Sequence, residues 1–525
     1  MSGRQIHLEV KDAKPVRRSA FTEDGMFQVI DELKEEIRNL YGEGIPLVVG
    51  WSGGKDSTAC LQLVWSAVSE LPKAKRTNRV HVITTDTMVE NPVVAAYVEG
   101  QLGHMNQAAT DQDMPIEAHR LTPDVEDRFF VNLIGRGFAA PRPKFRWCTE
   151  RLKIKPSNRF IRDVISQAGE AILVLGTRKA ESAARAKSME HHEKGRVRDR
   201  LSPNGSLPGS LVYSPIEAFT DDDVWTFLMQ HSNTPWGTRN HDLLTLYQGA
   251  TEDGECPLVV DSSTPSCGDS RFGCWTCTMV EQDRSMGAMI ANDEQKEWML
   301  PLLAIRDELD VRDSEGNRND YHLRDFRRSN GTLQLFHNEE PAPGKTQRET
   351  LVPGPYLQEH REYLLRRVLE AQQTVRKIGP PEVAGIELLT IEDLEAIRAH
   401  WLTRFHEFED RLPVIYEQVT GNRYPAETVK DDGAALGPEY VEILREICGD
   451  DTEQFRMIRE MLSIEQQDRS KLRRHGILDK LERTVRKGGF ENEQDALENA
   501  LHRRRELAIG RPVEGEQQVL DSTLA

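Results

Sequence analysis

PLVVGWSGGKDSTACLQLVW (Pro46–Trp65) begins as a buried strand and ends as an apolar helix, with SGGKDS (Ser52–Ser57) at the junction. A strand that passes through glycines into a helix points several backbone N–H groups at one place. The helix N-terminus adds partial positive charge there, so a phosphate fits. Gly53 and Gly54 allow close backbone approach, Lys55 adds a full charge, and Ser52, Ser57 and Thr58 offer hydroxyls. A glycine turn before a helix is common by itself, but here six consecutive residues suit the phosphate role. The loop is not of the Walker type, which places Ser or Thr after the lysine, because Asp56 follows Lys55.

Two further apolar runs read as strands covered on both faces, VHVITT (80–85) and AILVLG (171–176), with helical segments between the strands. That alternation predicts an α/β, doubly wound, mostly parallel sheet over about residues 41–240. Before it, residues 1–40 hold a polar tail and a helix whose stripe is Phe27, Ile30, Leu33, Ile37 and Leu40. Residues 186–212, rich in charge, Gly, Ser and Pro, read as a mobile loop. Residues 241–350 form an irregular subdomain holding Cys256, Cys267, Cys274 and Cys277. Residues 351–525 are helical, with the stripe Leu364, Val368, Ala371, Val375, Ile378 and a capping segment opening at Thr390. No internal repeat is evident.

At 525 residues the chain is long enough for two or three cores. No run approaches the roughly 18 apolar residues of a membrane span, and the first residues lack a secretory core, so a cytoplasmic location is expected, with no membrane partner. Seven cysteines do not make a disulfide scaffold at this length. The net charge of −18 argues against a protein that coats nucleic acid unaided.

SGGKDS resembles the PP-loop of the N-type ATP pyrophosphatases, which cleave ATP to AMP and pyrophosphate. The resemblance implies the adenine nucleotide alpha hydrolase fold, ATP and Mg²⁺ as ligands, and a loop that grips pyrophosphate while AMP passes to an oxygen acceptor. Asp56 would then orient the loop or Mg²⁺. VITTDTMVENP (82–92), with Asp86 at a strand end, LGTRKAES (175–182), with Gly176, Arg178, Glu181 and Ser182, and YSPIEAFTDDDVWTFL (213–228) are similar to the PAPS-reductase branch of that superfamily. Three strand ends would converge on one crevice, where open α/β sheets bind ligands. Arg178 could grip a phosphate with two N–H groups, whereas Asp223 and Trp225 read as structural. Lys55, Asp56 and Arg178 are the expected catalytic residues. Ser52, Gly53, Gly54, Ser57, Asp86 and Gly176 complete the expected nucleotide site.

SCGDSRFGCWTCTM (266–279) sets Cys267, Cys274 and Cys277 in a C-x6-C-x2-C array, a frequent metal grip. Cys148, in FRWCTERLKIKP (145–156), and Cys256 are the candidates for a fourth thiolate; spacing alone decides weakly between zinc and iron–sulfur. Together with the PP-loop these motifs resemble the DndC family, the sulfurtransferases of DNA phosphorothioation. That likeness covers about residues 25–345 and extends in style to GIELLTIEDLEAIR (385–398). It implies a [4Fe–4S] cluster on Cys148, Cys267, Cys274 and Cys277, DNA as substrate, a cysteine desulfurase as sulfur donor, and DndD- and DndE-type partner subunits. Cys60 reads as packing.

Residues 142–162 carry eight Lys/Arg and one acidic residue, interleaved with Phe145, Trp147 and Phe160, a pattern that suits a phosphate-rich strand. Lys153 and Lys155 stand out there, and a weaker basic stretch runs from His322 to Arg328. Rival readings are an APS/PAPS reductase, an Ssp-type single-strand system, a tRNA thiolase, and a non-catalytic DNA sensor. The reductases use a cysteine in a Glu-Cys-Gly-(Leu/Ile)-His tail, whereas this chain ends GEQQVLDSTLA and Cys448 sits in EICGDD without the histidine.

Overall fold

Val48 and Val49 in the Pro46–Gly50 run are fully buried, as expected of a strand with both faces covered. The computed structural model describes residues 18–143, 145–251, 272–336, 349–425, 438–469, 476–487, 489–490 and 492–508. They divide into two compact units, Met1–Pro123 with Thr149–Trp275 and Asp283–Glu297, and Asp124–Cys148 with Thr276–Gln282 and Trp298–Ala525.

In the first unit the order is α1 (Met26–Gly42), β1 (Leu47–Gly50), α2 (Lys55–Ser69), β2 (Val80–Thr85), α3 (Pro92–Asp111) and β3 (Ile116–Leu121). Past α4 (Trp147–Thr149), which except for Thr149 belongs to the second unit, come α5 (Lys155–Ala168), β4 (Ala171–Leu175), α6 (Ala183–Glu193), β5 (Leu201–Pro203), β6 (Ser210–Tyr213), α7 (Asp221–Met229), α8 (Asn240–Gly249) and α9 (Arg284–Asn292). The sheet order is β3-β2-β1-β4-β6-β5, with every pairing parallel except β5 against β6. This is the doubly wound α/β sheet expected. The order reverses between β1 and β4, and the crevice outside the carboxyl ends of those strands is where such sheets take ligands.

Successive strand residues serve opposite layers. Leu47, Val49, Val80, Val82, Ile172 and Val174 join the core with α1, α2 and α3. Val48, Ile83 and Ala171 join a second layer with Ile161 and Val164 of α5. Cys60 lies in the first core, and burial pushes its thiol far up, consistent with packing. In α1 the inward face is Leu33, Ile37, Leu40 and Tyr41, while Phe27 is 75% exposed. The predicted stripe thus starts too early: Phe27 lies in the first turn of α1, before the helix meets its core.

The stretch 186–212 is not one mobile loop. It contains most of α6, then β5 and β6, which pair with each other and with β4. Short strands at the sheet's edge carry the Gly, Ser and Pro that mimic a loop. Asp223 and Trp225 are structural as expected. Asp223 forms a capping box with Thr220, and Trp225 is buried.

The second unit is mainly helical, with α10 (Leu300–Leu309), α11 (Gln358–Ile378), α12 (Ile391–Arg404), α13 (Arg411–Thr420), α14 (Pro438–Cys448), α15 (Thr452–Arg469), α16 (Ile477–Lys487) and α17 (Glu493–Ala508). Leu364, Val368, Ala371 and Val375 are buried along α11, but Ile378, in its last turn, is 55% exposed. Thr390 does cap α12: its hydroxyl accepts from Asp393 N at 3.2 Å, and Asp393 returns a carboxylate to Thr390 N at 3.0 Å. The His322–Arg328 stretch is spent internally. Arg327 is buried and paired with Glu453 at 2.5 Å, and Arg324 donates to the Gly354 carbonyl at 2.8 Å. Among the described residues no helix is long and apolar enough to cross a membrane.

Burial holds the imidazole of His360 on α11 down to about 4, between Tyr356 and Tyr363, with Asp320 and Glu308 opposing weakly and His322 assisting. The folded pKa lies below the unfolded one, so the unfolded chain binds more protons between pH ~6.5 and ~4 and stability falls with acidification through that window. Acid unfolding of this unit should lose up to about 3 kcal/mol there, less what solvent screens. A His360→Gln chain should lose most of that slope in denaturant titrations at stepped pH. An unchanged slope would assign the acid sensitivity to other groups.

Candidate nucleotide site and thiol motifs

β1 ends at Gly50, and the chain turns through Trp51–Gly54 before α2 begins at Lys55. Gly53 has φ +77°, and a Cβ there would lie 2.7 Å from Val98 Cγ2, so the turn requires glycine twice over. Ser57 pins the loop: its Oγ accepts from Ser52 N at 3.1 Å and donates to Gly54 O at 3.0 Å. No side chain caps α2 at Gly54. Its first amides are therefore left for a ligand, apart from Lys55 N, which donates to the Tyr247 hydroxyl at 3.2 Å.

Four charges meet beside that turn. Arg178, 1% exposed, donates from Nε to Asp56 Oδ1 and from Nη2 to Asp221 Oδ1, both at 2.8 Å, and from Nη1 to the Phe219 carbonyl at 3.2 Å. Lys55 Nζ lies 3.0 Å from Asp221 and 3.4 Å from Asp56. Burial alone would lower the Lys55 ammonium, but Asp56, then Tyr247 and Asp221, outweigh it and hold it above its ordinary value. Burial alone would raise Asp221, but Lys55 and Arg178 carry it below the usual carboxylate range. The cluster is formally neutral, two carboxylates against two cations. The guanidinium expected to grip a phosphate is thus occupied in fixing two acidic groups.

A cavity of about 990 Å³ opens over this cluster, lined by Ser52, Gly54–Ser57, Asp86, Gly176, Arg178, Asp221 and Tyr247, among others. The volume is at the upper end for a small-molecule site. Asp86 follows β2, where its Oδ1 accepts from Met88 N at 2.7 Å and its other oxygen pairs with Arg120. Every expected nucleotide residue other than Gly53 lines the cavity, and Gly53 shapes its turn. Asp221 and Tyr247 went unforeseen. Asp221 is one of three consecutive aspartates, and only its position on the first turn of α7, under Arg178, distinguishes it. Tyr247 lies on α8 with no motif around it.

The thiols are placed less completely. Cys267 and Cys256 lie outside the described residues. Cys274 forms a bridge pair with Glu90 in the segment after β2; its Sγ is 3.3 Å from Thr87 Oγ1 and 4.0 Å from Glu90 Oε1. Glu90 and Lys153 both line the cavity, with Lys153 Nζ 3.6 Å from Glu90, so Cys274 contacts a residue of the cavity wall. In the second unit, Arg306 holds the Cys277 segment to α10, donating to Cys277 O at 3.2 Å and Glu281 O at 2.8 Å. Cys148 is half-buried in α4. Among the described residues no two cysteines form a disulfide with each other.

Two of the three aromatics in the basic segment are taken up by packing. The Trp147 indole donates to Ala139 O at 3.0 Å, and Phe160 packs on His81 and His119. Phe145 is 42% exposed. Lys155, on α5, is not part of the cavity wall.

Fold and loop define an α/β domain of the PP-loop type, with a cavity over the loop. Residues 46–279 match the phosphoadenosine phosphosulfate reductase domain, so the chain carries a PAPS-reductase-like domain. Among solved structures, the U34-tRNA thiolase NcsA from Methanococcus maripaludis, determined with its [4Fe-4S] cluster, aligns over 54% of this chain and 80% of that chain, at 14% identity and a TM-score of 0.26. That likeness is too slight to bear on function. No curated protein sequence matches the chain significantly.

Proposed function

We propose that the chain is an ATP-dependent sulfurtransferase of DNA phosphorothioation. The observation that carries the proposal is the cavity at the carboxyl ends of β1, β2 and β4, in which Lys55 and the uncapped start of α2 face the same space as Asp86 and Gly176. The amides of the Ser52–Ser57 loop and Lys55 would cradle the outer phosphates of ATP. A non-bridging oxygen of a DNA phosphate would attack the α-phosphorus, and the bond to the leaving pyrophosphate would break. A sulfur nucleophile would then attack the DNA phosphorus, and AMP would leave with the oxygen. Positioned charge supplies the acceleration in phosphoryl chemistry of this kind.

In this reading Arg178 positions rather than touches: it holds Asp56 and Asp221, and these orient Lys55 or a Mg²⁺ ion. Lys153, with Glu90 at the rim, would meet the incoming DNA strand. Cys148, Cys267, Cys274 and Cys277 offer the all-thiolate donor set that a [4Fe–4S] cluster takes. Such a cluster, when bound, could carry sulfur or electrons for the second half-reaction. A cysteine desulfurase would supply the sulfur. DndD- and DndE-type subunits would help to hold DNA against the net charge of −18.

Pyrophosphate release with and without DNA tests the first half. Lys55→Ala should lower it by about 10²–10³-fold or more with the fold intact. Cys274→Ser should abolish phosphorothioation and cut the iron content of anaerobically purified protein. Pyrophosphate release by a Lys55→Ala chain at the normal rate would sink the adenylylation step, and persistent phosphorothioation in Cys274→Ser would sink the thiol assignment.

A further inference from the structure

We infer that the chain holds a second metal site, of the zinc class, on the α5 side of the sheet, formed by His81, Glu117 and His119. Among the described residues this is the one group of three His, Cys, Asp or Glu side chains whose ligand atoms all lie within 4.8 Å of one another. The residues are brought together by register. His81 of β2 pairs with Glu117 of β3, and Ile83 pairs with His119. Directly opposed residues, and residues two apart on one strand, share a sheet face. His81, Glu117 and His119 therefore project on the same side, as a two-strand chelate.

Distances support coordination. His81 Nδ1 lies 3.0 Å from His119 Nε2, and Glu117 Oε2 lies 3.7 Å from that same nitrogen. Ligands 2.0–2.1 Å from a tetrahedral zinc are separated by about 3.3 Å, between those two values. Two imidazoles and one carboxylate suit Zn²⁺ and, among its neighbours, Co²⁺, rather than Ca²⁺ or Mg²⁺. The ring of Phe160, on α5, packs on both imidazoles, with centroids at 5.5 and 4.8 Å, and fixes their planes. Three protein ligands leave a fourth position for water, which makes the site exchangeable. Its location suggests what it does: β3 is the outermost strand on its side of the sheet, and the ion would fasten it to β2.

No thiol takes part, so the site can be told apart from the cysteine set by its spectrum. The full-length chain, purified anaerobically with its thiol-bound metal in place, is titrated with Co²⁺ and separately melted with and without Zn²⁺. The expected result is one further Co²⁺ per chain, with d–d bands and no added sulfur-to-cobalt charge transfer, and an upward shift of the melting temperature with Zn²⁺. His119→Gln should abolish both, and Glu117→Gln, on an exposed side chain, should weaken Co²⁺ binding by about tenfold or more. Pyrophosphate release should be unaltered in both variants. Equal Co²⁺ uptake and equal Zn²⁺ shifts in wild type and Glu117→Gln would overturn the site, leaving only an imidazole–imidazole hydrogen bond. Sulfur-to-cobalt bands on the additional ion would overturn it too.

Discussion

Gly176→Ala is expected to cost the first unit about 2–3 kcal/mol and to cripple nucleotide handling together with stability. A Cβ at position 176 would lie 2.6 Å from Asp56 O, 2.7 Å from its carbonyl carbon and 2.9 Å from Ser57 N. All three are backbone atoms in the first turn of α2, so no rotamer change relieves the clash. Either the end of β4 or the start of α2 must move, and the amides of the loop move with it. A displacement of about 1 Å in such a site costs on the order of 10²-fold in rate. Thermal melting should show a fall of roughly 5–10 °C, and pyrophosphate release should drop by about 10²-fold. Gly103 of α3 is the control, since a Cβ there meets nothing within 4 Å; Gly103→Ala should be neutral or mildly stabilising. A Gly176→Ala chain with ordinary melting and activity would mean that strand and helix do not approach so closely.

Arg178→Leu should be more damaging still. It removes the guanidinium that bonds Asp56 and Asp221 together, each at 2.8 Å, and leaves Lys55 as the sole cation of the cluster facing two partly buried carboxylates. Stripping one partner from a buried ion cluster costs about 3–5 kcal/mol, because the remaining charges are desolvated without compensation. Lysine should not substitute: a single ammonium cannot span two carboxylates and the Phe219 carbonyl as the planar fork does. If repulsion is the cause, adding Asp221→Asn to Arg178→Leu should recover part of the loss, and the two effects should fall short of additive. Strict additivity in the double-mutant cycle, read by denaturant unfolding, would deny the coupling. A separate readout distinguishes positioning from phosphate contact. Arg178→Lys, where folded, should lower kcat for pyrophosphate release more than it raises KM for ATP; the reverse pattern would give Arg178 a direct hold on the nucleotide.

The parts of this site legible in the sequence share one property, a local physical requirement. SGGKDS must be a tight turn into a helix because of its glycines and its apolar flanks, and the β1, β2 and β4 runs are continuous enough to be parallel central strands. β3 was missed because IEAHRL, an edge strand, keeps one face largely polar, and its alternation is interrupted by Arg120 on the face of Ile116 and Ala118. β5 and β6 were missed because short edge pairing leaves no apolar run. Phe27 and Ile378 were misread because helical periodicity continues on paper past the point where a helix still has a core to face.

Sequence alone sufficed for the strand–turn–helix at SGGKDS and for the three central strands around it, because each depends on neighbours a few residues apart. Only the tertiary structure decided what Arg178 does, since its partners stand 122 and 43 residues away. The same holds for the choice of Asp221 from a run of three aspartates, for Tyr247, and for the joining of His81 to Glu117 and His119. Each of those depends on strand register and on which charges are buried together, and chain distance does not encode either.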